Sequence, residues 1–579
     1  MTRSNCLREI FSRVFVMLCS VILLLSQTAY SDVIIEGERM FPVLGDEGMV
    51  ATSHFIASKS AQKVLKEGGN AIDAAVTAAF VLAVTQPRSG NIGGGGFMMI
   101  SSEKKNEVVA IDYREKAPSK ATLDMFLDKD GNAVSELSRY SHLATGVPGT
   151  VAGLAMALDK YGTISLSEAM KPAIKLADEG FIVTQRFSNG LKDKEDLLKR
   201  WDSSARVFYK KDGGYYEPGD LFKQKDLAAT LSRIAENGAS EFYEGETAKL
   251  LVAEMDKHGG LISLEDMKNY SPVIRTPVHG TYRGYDVYSM PPPSSGGVHL
   301  IQILNILEGY PVAKDGHNSA KNIHLMAESM KLAYADRSLY LGDEDFVQVP
   351  MKKLTSKEYA TTLRNKIDDE KATPSNRIRP GEFLSFESSE TTHFSIVDKF
   401  GNAVSNTYTI NFSYGSGIVV EGAGFLLNNE MDDFSAKPGV PNAYGLIGGE
   451  ANKIEPGKRM LSSMSPTIVK KEGKNFLVTG SPGGSRIITT TLQVVMNVID
   501  HNLNILSAVA APRIHHQWLP DELRIEEGLS PDTVRILREK GHKIKQKSAM
   551  GASQSILIDK GLFNGAADPR RSTALAVGL

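Results

Sequence analysis

Thr391 opens the segment Thr391-Thr392-His393-Phe394-Ser395, and its setting is that of a nucleophile. A polar stretch with Pro374, Ser375, Pro380, Gly381, Ser388 and Ser389 precedes it, and an alternating strand pattern begins at it. A hydroxyl placed where a loop meets a strand can attack the peptide carbonyl just before it. The chain is then cut and Thr391 becomes a new N-terminus. Such a threonine carries its own base, because the freed α-amine lies beside the hydroxyl. With a pKa of roughly 7.7–8.0, that amine is partly neutral near pH 7. On its own, Thr391 is one strand threonine among many, and what surrounds it changes that reading.

Other segments supply what a nucleophile needs. Gly483-Gly484 stands where a strand gives way to a helix. Backbone N–H groups at such a turn are unpaired and favour negative charge, which suits an oxyanion. A glycine turn kept for packing is the ordinary alternative, and no Walker lysine follows. The run Leu426-Leu427-Asn428-Asn429-Glu430-Met431-Asp432-Asp433-Phe434 is dense in short polar side chains that can grip an ammonium group. A solvated acidic loop or a calcium site is the ordinary alternative, and the EF-hand spacing that would support calcium is absent. Ser462-Ser463 can hold a carboxylate or merely cap a turn. Arg114 can bind a carboxylate with two parallel hydrogen bonds or form a surface ion pair. His515-His516 lacks a third donor at metal-ligand spacing and reads as structural. No metal or organic cofactor is indicated.

These groups need a scaffold, and the hydrophobic periods describe one. Ser58–Gly68 reads as an amphipathic helix. Ala71–Val84 is apolar on nearly every face and reads as a core helix capped by Asn70. Strands are expected at Phe97–Ile100 and Val108–Tyr113, and at Thr392–Val397 and Ala403–Ile410 around Gly401-Asn402. Two more are expected at Pro466–Lys470 and Phe476–Thr479. Residues 150–345 look mainly helical, and Arg486–Ile499 reads as a helix. Strand pairs mixed with long helices give a layered α/β fold with antiparallel strands.

The chain has 579 residues and a formal charge of −2, so it lacks the basic excess of a nucleic-acid binder. Arg3, Arg8 and Arg13, the apolar run Val14–Leu25 and Ala29-Tyr30-Ser31 read as a secretory signal over residues 1–31. That run is short for a membrane span. Cys6 and Cys19 both lie in this leader, so the mature chain has neither disulfides nor a thiol nucleophile.

Taken in order, GGNAIDAAV at 68–76, SGNIGGGGF at 89–97, DYREKAP at 112–118, PPPSSGGVHL at 291–300, TTHFS at 391–395, LLNNEMDDFS at 426–435, LSSMSPT at 461–467 and GSPGGSR at 480–486 closely resemble the gamma-glutamyltranspeptidase family of N-terminal nucleophile hydrolases. The resemblance implies an αββα sandwich made as a precursor. It would cut itself between Glu390 and Thr391 into a large part, 32–390, and a small part, 391–579, that stay together as a heterodimer. Thr391 would attack glutathione or another γ-glutamyl amide, with Thr409 positioning it and Gly483 and Gly484 binding the oxyanion. Arg114, Ser462 and Ser463 would hold the α-carboxylate. Asn411, Glu430 and Asp433 would hold the α-amino group, Glu430 standing where some bacterial relatives carry glutamine. Tyr444 would cover the pocket from a lid loop, and amino acids or dipeptides would serve as acceptors. Asn411-Phe412-Ser413 is a formal glycosylation sequon at a binding residue, which favours a bacterial periplasm.

Two other readings compete. A glutaryl (β-lactam side-chain) acylase of the same fold would have less need of Glu430 and Asp433, since a glutaryl group has no amine. A secreted protein that binds glutathione without cutting it would not need Thr391 at a strand start.

Overall fold

The computed structural model describes residues 40–378, 391–435 and 449–579. The expected leader, Glu390 of the expected cleavage bond and the expected lid residue Tyr444 lie outside the described residues. From Pro42 onward the described chain forms one unit.

Two seven-stranded sheets carry the fold. The strand led by Thr391, Thr392–Asp398, lies inside the first, in the order Leu575–Gly578, Gly48–Thr52, Thr392–Asp398, Ala403–Thr409, Gly95–Ser102, Glu107–Tyr113, Val273–Arg275. The second runs Val43–Gly45, Leu562–Ala567, Gln554–Asp559, Lys474–Thr479, Thr467–Lys471, Tyr285–Ser289, Val278–Tyr282. Pairing within both sheets is antiparallel. A small third sheet departs from the antiparallel expectation, because Leu523–Glu526 pairs parallel with Ile544–Lys547.

Period-two alternation sorts the strand residues into layers. Met49, Ala51, Phe97, Met99, Val397 and Ala403 of the first sheet face Ile468, Val478 and Ile556 of the second, which makes the core between the sheets. Their neighbours Val50, Met98, Ile100, Ile396 and Val404 face outward onto helices that include Ala71–Thr85. On the other side Val469 and Leu477 meet Gly296–Leu307, Ala320–Tyr340 and Arg486–Ile499. The result is helix, sheet, sheet, helix.

The expected elements recur with small shifts. Ala71–Thr85 is buried along its whole length, as its all-round apolarity predicts, and Asn70 Oδ1 accepts from Ile72 and Asp73 N–H. The first helix starts earlier than expected, at Phe55, because His54 Nδ1 accepts from Ile56 N–H. The Thr391 hairpin pairs Thr392 with Tyr408 and Val397 with Ala403. Thr392–Asp398 lies between Gly48–Thr52, from the part before residue 390, and Ala403–Thr409, from the part after it. Both sheets mix strands from the two parts in this way, so one cut before Thr391 leaves the ladders intact.

Candidate active site

Thr391 is 6% exposed and lines a cleft. Thr409, Asn411, Arg114, Glu430, Asp433, Ser462, Ser463 and Gly484 line the same cleft, with Arg337, Ser485 and the apolar Leu461, Met464 and Ile487. Residues far apart in sequence thus converge at the start of the strand Thr392–Asp398. Gly483 is next to the lining rather than in it, and Tyr444 is outside the described residues.

The nucleophile end rests on the hairpin. Thr392, one residue on, turns its hydroxyl to Ser53 Oγ at 2.7 Å. His393 is fully buried on Thr407 Oγ1 and Ser395 Oγ, and burial pushes its pKa down to about 3. It is a neutral structural imidazole. Thr409 Oγ1 accepts from Asn411 N–H at 2.8 Å, which fixes the hydroxyl at the mouth of the hairpin. The glycine run that leads into Gly95–Ser102 makes this packing possible: a Cβ on Gly94 would stand 1.9 Å from the Thr409 carbonyl oxygen. Thr409→Val keeps the shape and removes the hydroxyl. Loss of one such bond, about 1.5–3 kcal/mol, should slow both self-cleavage and turnover roughly 10- to 100-fold. Kinetics equal to wild type would remove Thr409 from the mechanism.

Across the cleft, Gly483 and Gly484 adopt φ of +135° and +57°, which favour glycine. Their carbonyls accept from Arg486 and Ile487 N–H as the helix Arg486–Ile499 begins. Among the described residues neither glycine N–H has a partner. Unpaired N–H groups at a helix start are able to bind an anion.

The charged end is built on Arg114. Its side chain is wholly buried, and its two terminal nitrogens reach Glu430 and, at 2.5 Å, Asp433. Nε donates to the Met460 carbonyl at 3.2 Å. The acidic run folds so that only some of its residues face the cleft. Asn428 ties Gly93, Gly146 and Glu430 together, while Asn429 holds Phe412, Arg139 and Gly415. A 3-10 turn, Glu430–Asp433, then places Glu430 and Asp433 on one side and sends Asp432 to Ser138. The expected carboxylate binder and two of the expected ammonium binders are therefore in contact with each other. The two poles of the site form one ion cluster.

That cluster is over-supplied with acid. Glu115 also lies 3.6 Å from Arg114, and both of its oxygens lack hydrogen-bond partners. Burial raises Glu430 and Asp433 above the usual carboxylate range, with Arg114 opposing. For Arg114 burial opposes the charge, but Glu430 and then Asp433 outweigh it and hold the guanidinium charged. The directions agree if one arginine cannot satisfy three buried carboxylates and one of them keeps a proton. Glu115 is pushed up to about 7, again by burial. The folded chain then holds a proton that the unfolded chain releases at lower pH. Stability from this group is complete below the unfolded carboxylate pKa and is lost as pH rises through about 7. Glu115→Gln should shrink the fall in Tm between pH 5 and pH 8 by roughly 1–3 °C. An identical fall in both proteins would contradict this.

The serine pair hangs on the PPPSSGG loop. Ser462 N–H donates to the Pro293 carbonyl at 2.8 Å, and the Ser462 carbonyl accepts from the Ser295 N–H and hydroxyl. Sequence reading missed two supports, both on the helix Ala320–Tyr340. Tyr334 donates to the Ser485 carbonyl, beside the glycine turn, and Arg337 donates to Ser463 Oγ at 3.3 Å. Their i, i+3 spacing puts them on one helix face, but only the tertiary fold shows what that face meets. The structure also gathers His142, Glu254 and His258, and separately His324, Glu328 and His542, with ligand-type atoms within 4.8 Å. Neither group lines the cleft.

A four-layer αββα sandwich with a threonine leading a central strand defines the N-terminal nucleophile hydrolase class. The family profile described as Gamma-glutamyltranspeptidase matches residues 57–578. The glutathione hydrolase proenzyme of Escherichia coli strain K12 is 55% identical over 546 residues, which cover 94% of each chain. Among solved structures, cephalosporin acylase from Bacillus halodurans is similar with a TM-score of 0.83 and 28% identity, over 95% of this chain and 99% of that one. Helicobacter pylori gamma-glutamyltranspeptidase is similar with a TM-score of 0.56 and 52% identity, over 58% of this chain and 97% of that one. The chain belongs to the gamma-glutamyltranspeptidase family.

Proposed function

We infer that this enzyme cleaves the γ-glutamyl amide of glutathione and related compounds and passes the γ-glutamyl group to water or to an amine. The observation that carries the reading is the cleft that joins Thr391 to the Arg114–Glu430–Asp433 cluster and the Ser462-Ser463 pair. A γ-glutamyl group has an ammonium and a carboxylate at its far end, so its recognition needs both charge signs. Those remote contacts fix the γ-carbonyl against the hydroxyl.

The precursor cuts itself before Thr391 into parts 32–390 and 391–579, which remain one heterodimer because their strands interleave. The freed α-amine takes the Thr391 hydroxyl proton as the oxygen attacks the γ-carbonyl. Gly483 and Gly484 N–H groups stabilise the oxyanion, and Thr409 holds the nucleophile. Collapse expels the amine, protonated by the same α-amine, and leaves a γ-glutamyl ester on Thr391. Water resolves the ester by hydrolysis; an amino acid or dipeptide amine resolves it by transfer. Arg114, Ser462 and Ser463 serve the α-carboxylate, while Asn411, Glu430 and Asp433 serve the ammonium. The leader at 1–31 and the buried sequon at Asn411 fit a periplasmic enzyme, and among the described residues no helix is long and apolar enough to cross a membrane.

The likeness to an acylase sets the competing reading, and the ammonium decides between them. The purified enzyme should process a γ-glutamyl anilide at least ~100-fold faster, as kcat/KM, than the glutaryl anilide that lacks only the amine. Equal rates on the two would favour the acylase.

A further inference from the structure

Two consecutive glycines have no side chains to fix the direction of their N–H groups, yet a donor that stabilises developing charge has to be fixed beforehand. The turn 480–485 is held from its two ends instead. At one end Ser481 Oγ donates to the Pro482 carbonyl at 2.7 Å and accepts from Ala552 N–H at 3.0 Å. At the other end stands Ser485, which lines the cleft beside Gly484. A serine before a helix ordinarily turns its oxygen back to accept from a first-turn N–H. Ser485 does not. It has helical φ and ψ of −55° and −29° and makes no such bond to the helix Arg486–Ile499. Its hydroxyl donates away from the helix, to Gln517 Oε1 at 2.7 Å.

Gln517 is buried, and its amide can stand only one way round. Oε1 accepts from Ser485 Oγ, from His515 Nε2 at 3.0 Å and from a terminal nitrogen of Arg524 at 3.3 Å. The amide nitrogen donates to the Leu519 carbonyl at 3.2 Å. Turned over, the amide would set donors against three donors. Its neighbours are fixed in the same sense. Burial pushes the His515 pKa down to about 3, so the ring is neutral. With the proton on Nε2, Nδ1 is left to accept from Thr489 Oγ1 at 2.8 Å. On the other side Tyr334 donates to the Ser485 carbonyl. Ser485 is thus pinned by its hydroxyl and by its carbonyl, from two side chains that stand behind the cleft lining.

We propose that Gln517 is a positioning residue for the oxyanion: through Ser485 it holds the Gly484 N–H in the place where negative charge develops. This rests on the γ-glutamyl transfer reading, with Gly483 and Gly484 as the oxyanion donors. Acylation of Thr391 and resolution of its ester both pass through an oxyanion, so Gln517 serves both halves of the reaction. Ground-state binding of the substrate's charged end is left to other residues.

The test is a double-mutant cycle on a γ-glutamyl anilide, with and without an acceptor dipeptide, using processed enzyme checked by mass for the Thr391 terminus. Gln517→Met keeps the length of the side chain and removes the acceptor, and Ser485→Ala removes the donor. Each should lower kcat ~10-fold or more, with KM within about threefold of wild type. The ratio of hydrolysis to transfer should hold, because both routes use the same donors. The double variant should stay within about twofold of the slower single, since both changes cut one link. A wild-type kcat in Gln517→Met overturns the proposal. So do losses that multiply in the double variant, or a loss carried by KM, either of which would mark a merely structural glutamine. Should the methionine variant fail to process, Gln517→Asn, which draws the amide back from Ser485 by one methylene, takes its place in the cycle with the same expectations. A wild-type enzyme that does not turn over the anilide would bring down the γ-glutamyl reading itself, whereas normal wild-type turnover with unaffected variants brings down only the role of Gln517.

Discussion

Thr391→Ala should yield a single uncut chain with no measurable turnover of a γ-glutamyl anilide. The loss is expected to exceed ~10⁴-fold, because the residue supplies both the nucleophile and, once freed, the base. No neighbour can stand in. The Thr392 hydroxyl is engaged by Ser53, and His393 is buried, neutral and bound to Thr407 and Ser395. Thr391→Ser keeps a hydroxyl at the same atom and should keep slow cleavage and part of the activity. Denaturing electrophoresis reads the first effect and anilide release the second. An alanine variant that is cut normally would defeat the mechanism.

Arg114→Lys should raise KM for the γ-glutamyl anilide about 100-fold. Arg114 spans Glu430 and Asp433 with two separate nitrogens while a third donates to the Met460 carbonyl. A lysine ammonium is a point charge on a flexible stem and cannot make that fork. One carboxylate would be left buried and unpaired, at a cost of roughly 3–5 kcal/mol. The ammonium subsite would then lose its shape as well as its charge balance. The effect should fall mainly on KM, since Thr391, Thr409 and the glycine turn are untouched. Unchanged kinetics would remove Arg114 from the site.

These two residues illustrate what the sequence made legible. Thr391 stands where a polar segment gives way to a strand, but the motifs around it in order, more than that boundary, set it apart from an ordinary strand threonine. In the expected strands period-two alternation separates Val397 from Ile396 and Ile468 from Val469, and so the layers on either side of each sheet, whereas the strand Gly48–Thr52 was not expected. The helices Ala71–Thr85 and Arg486–Ile499 follow from local period and capping and appear within a residue of expectation. The order of motifs carried the site assignment, and all the assigned residues that are described gather at one cleft except Gly483, which adjoins it. What stayed hidden is long-range pairing. Arg114 and Glu430 are separated by 316 residues, and no local pattern states that the two poles of the site touch. Arg337 sits in an ordinary helical run, and its role depends on a serine 126 residues away. The glycines at 93–96 were read as a signpost, whereas their physical reason is the close crossing of the Thr409 strand.

Intact mass and N-terminal sequencing of the purified wild-type protein test the central claim most directly. The account predicts two associated chains, one of them beginning at Thr391. A single uncut chain that stays whole on long incubation would contradict it.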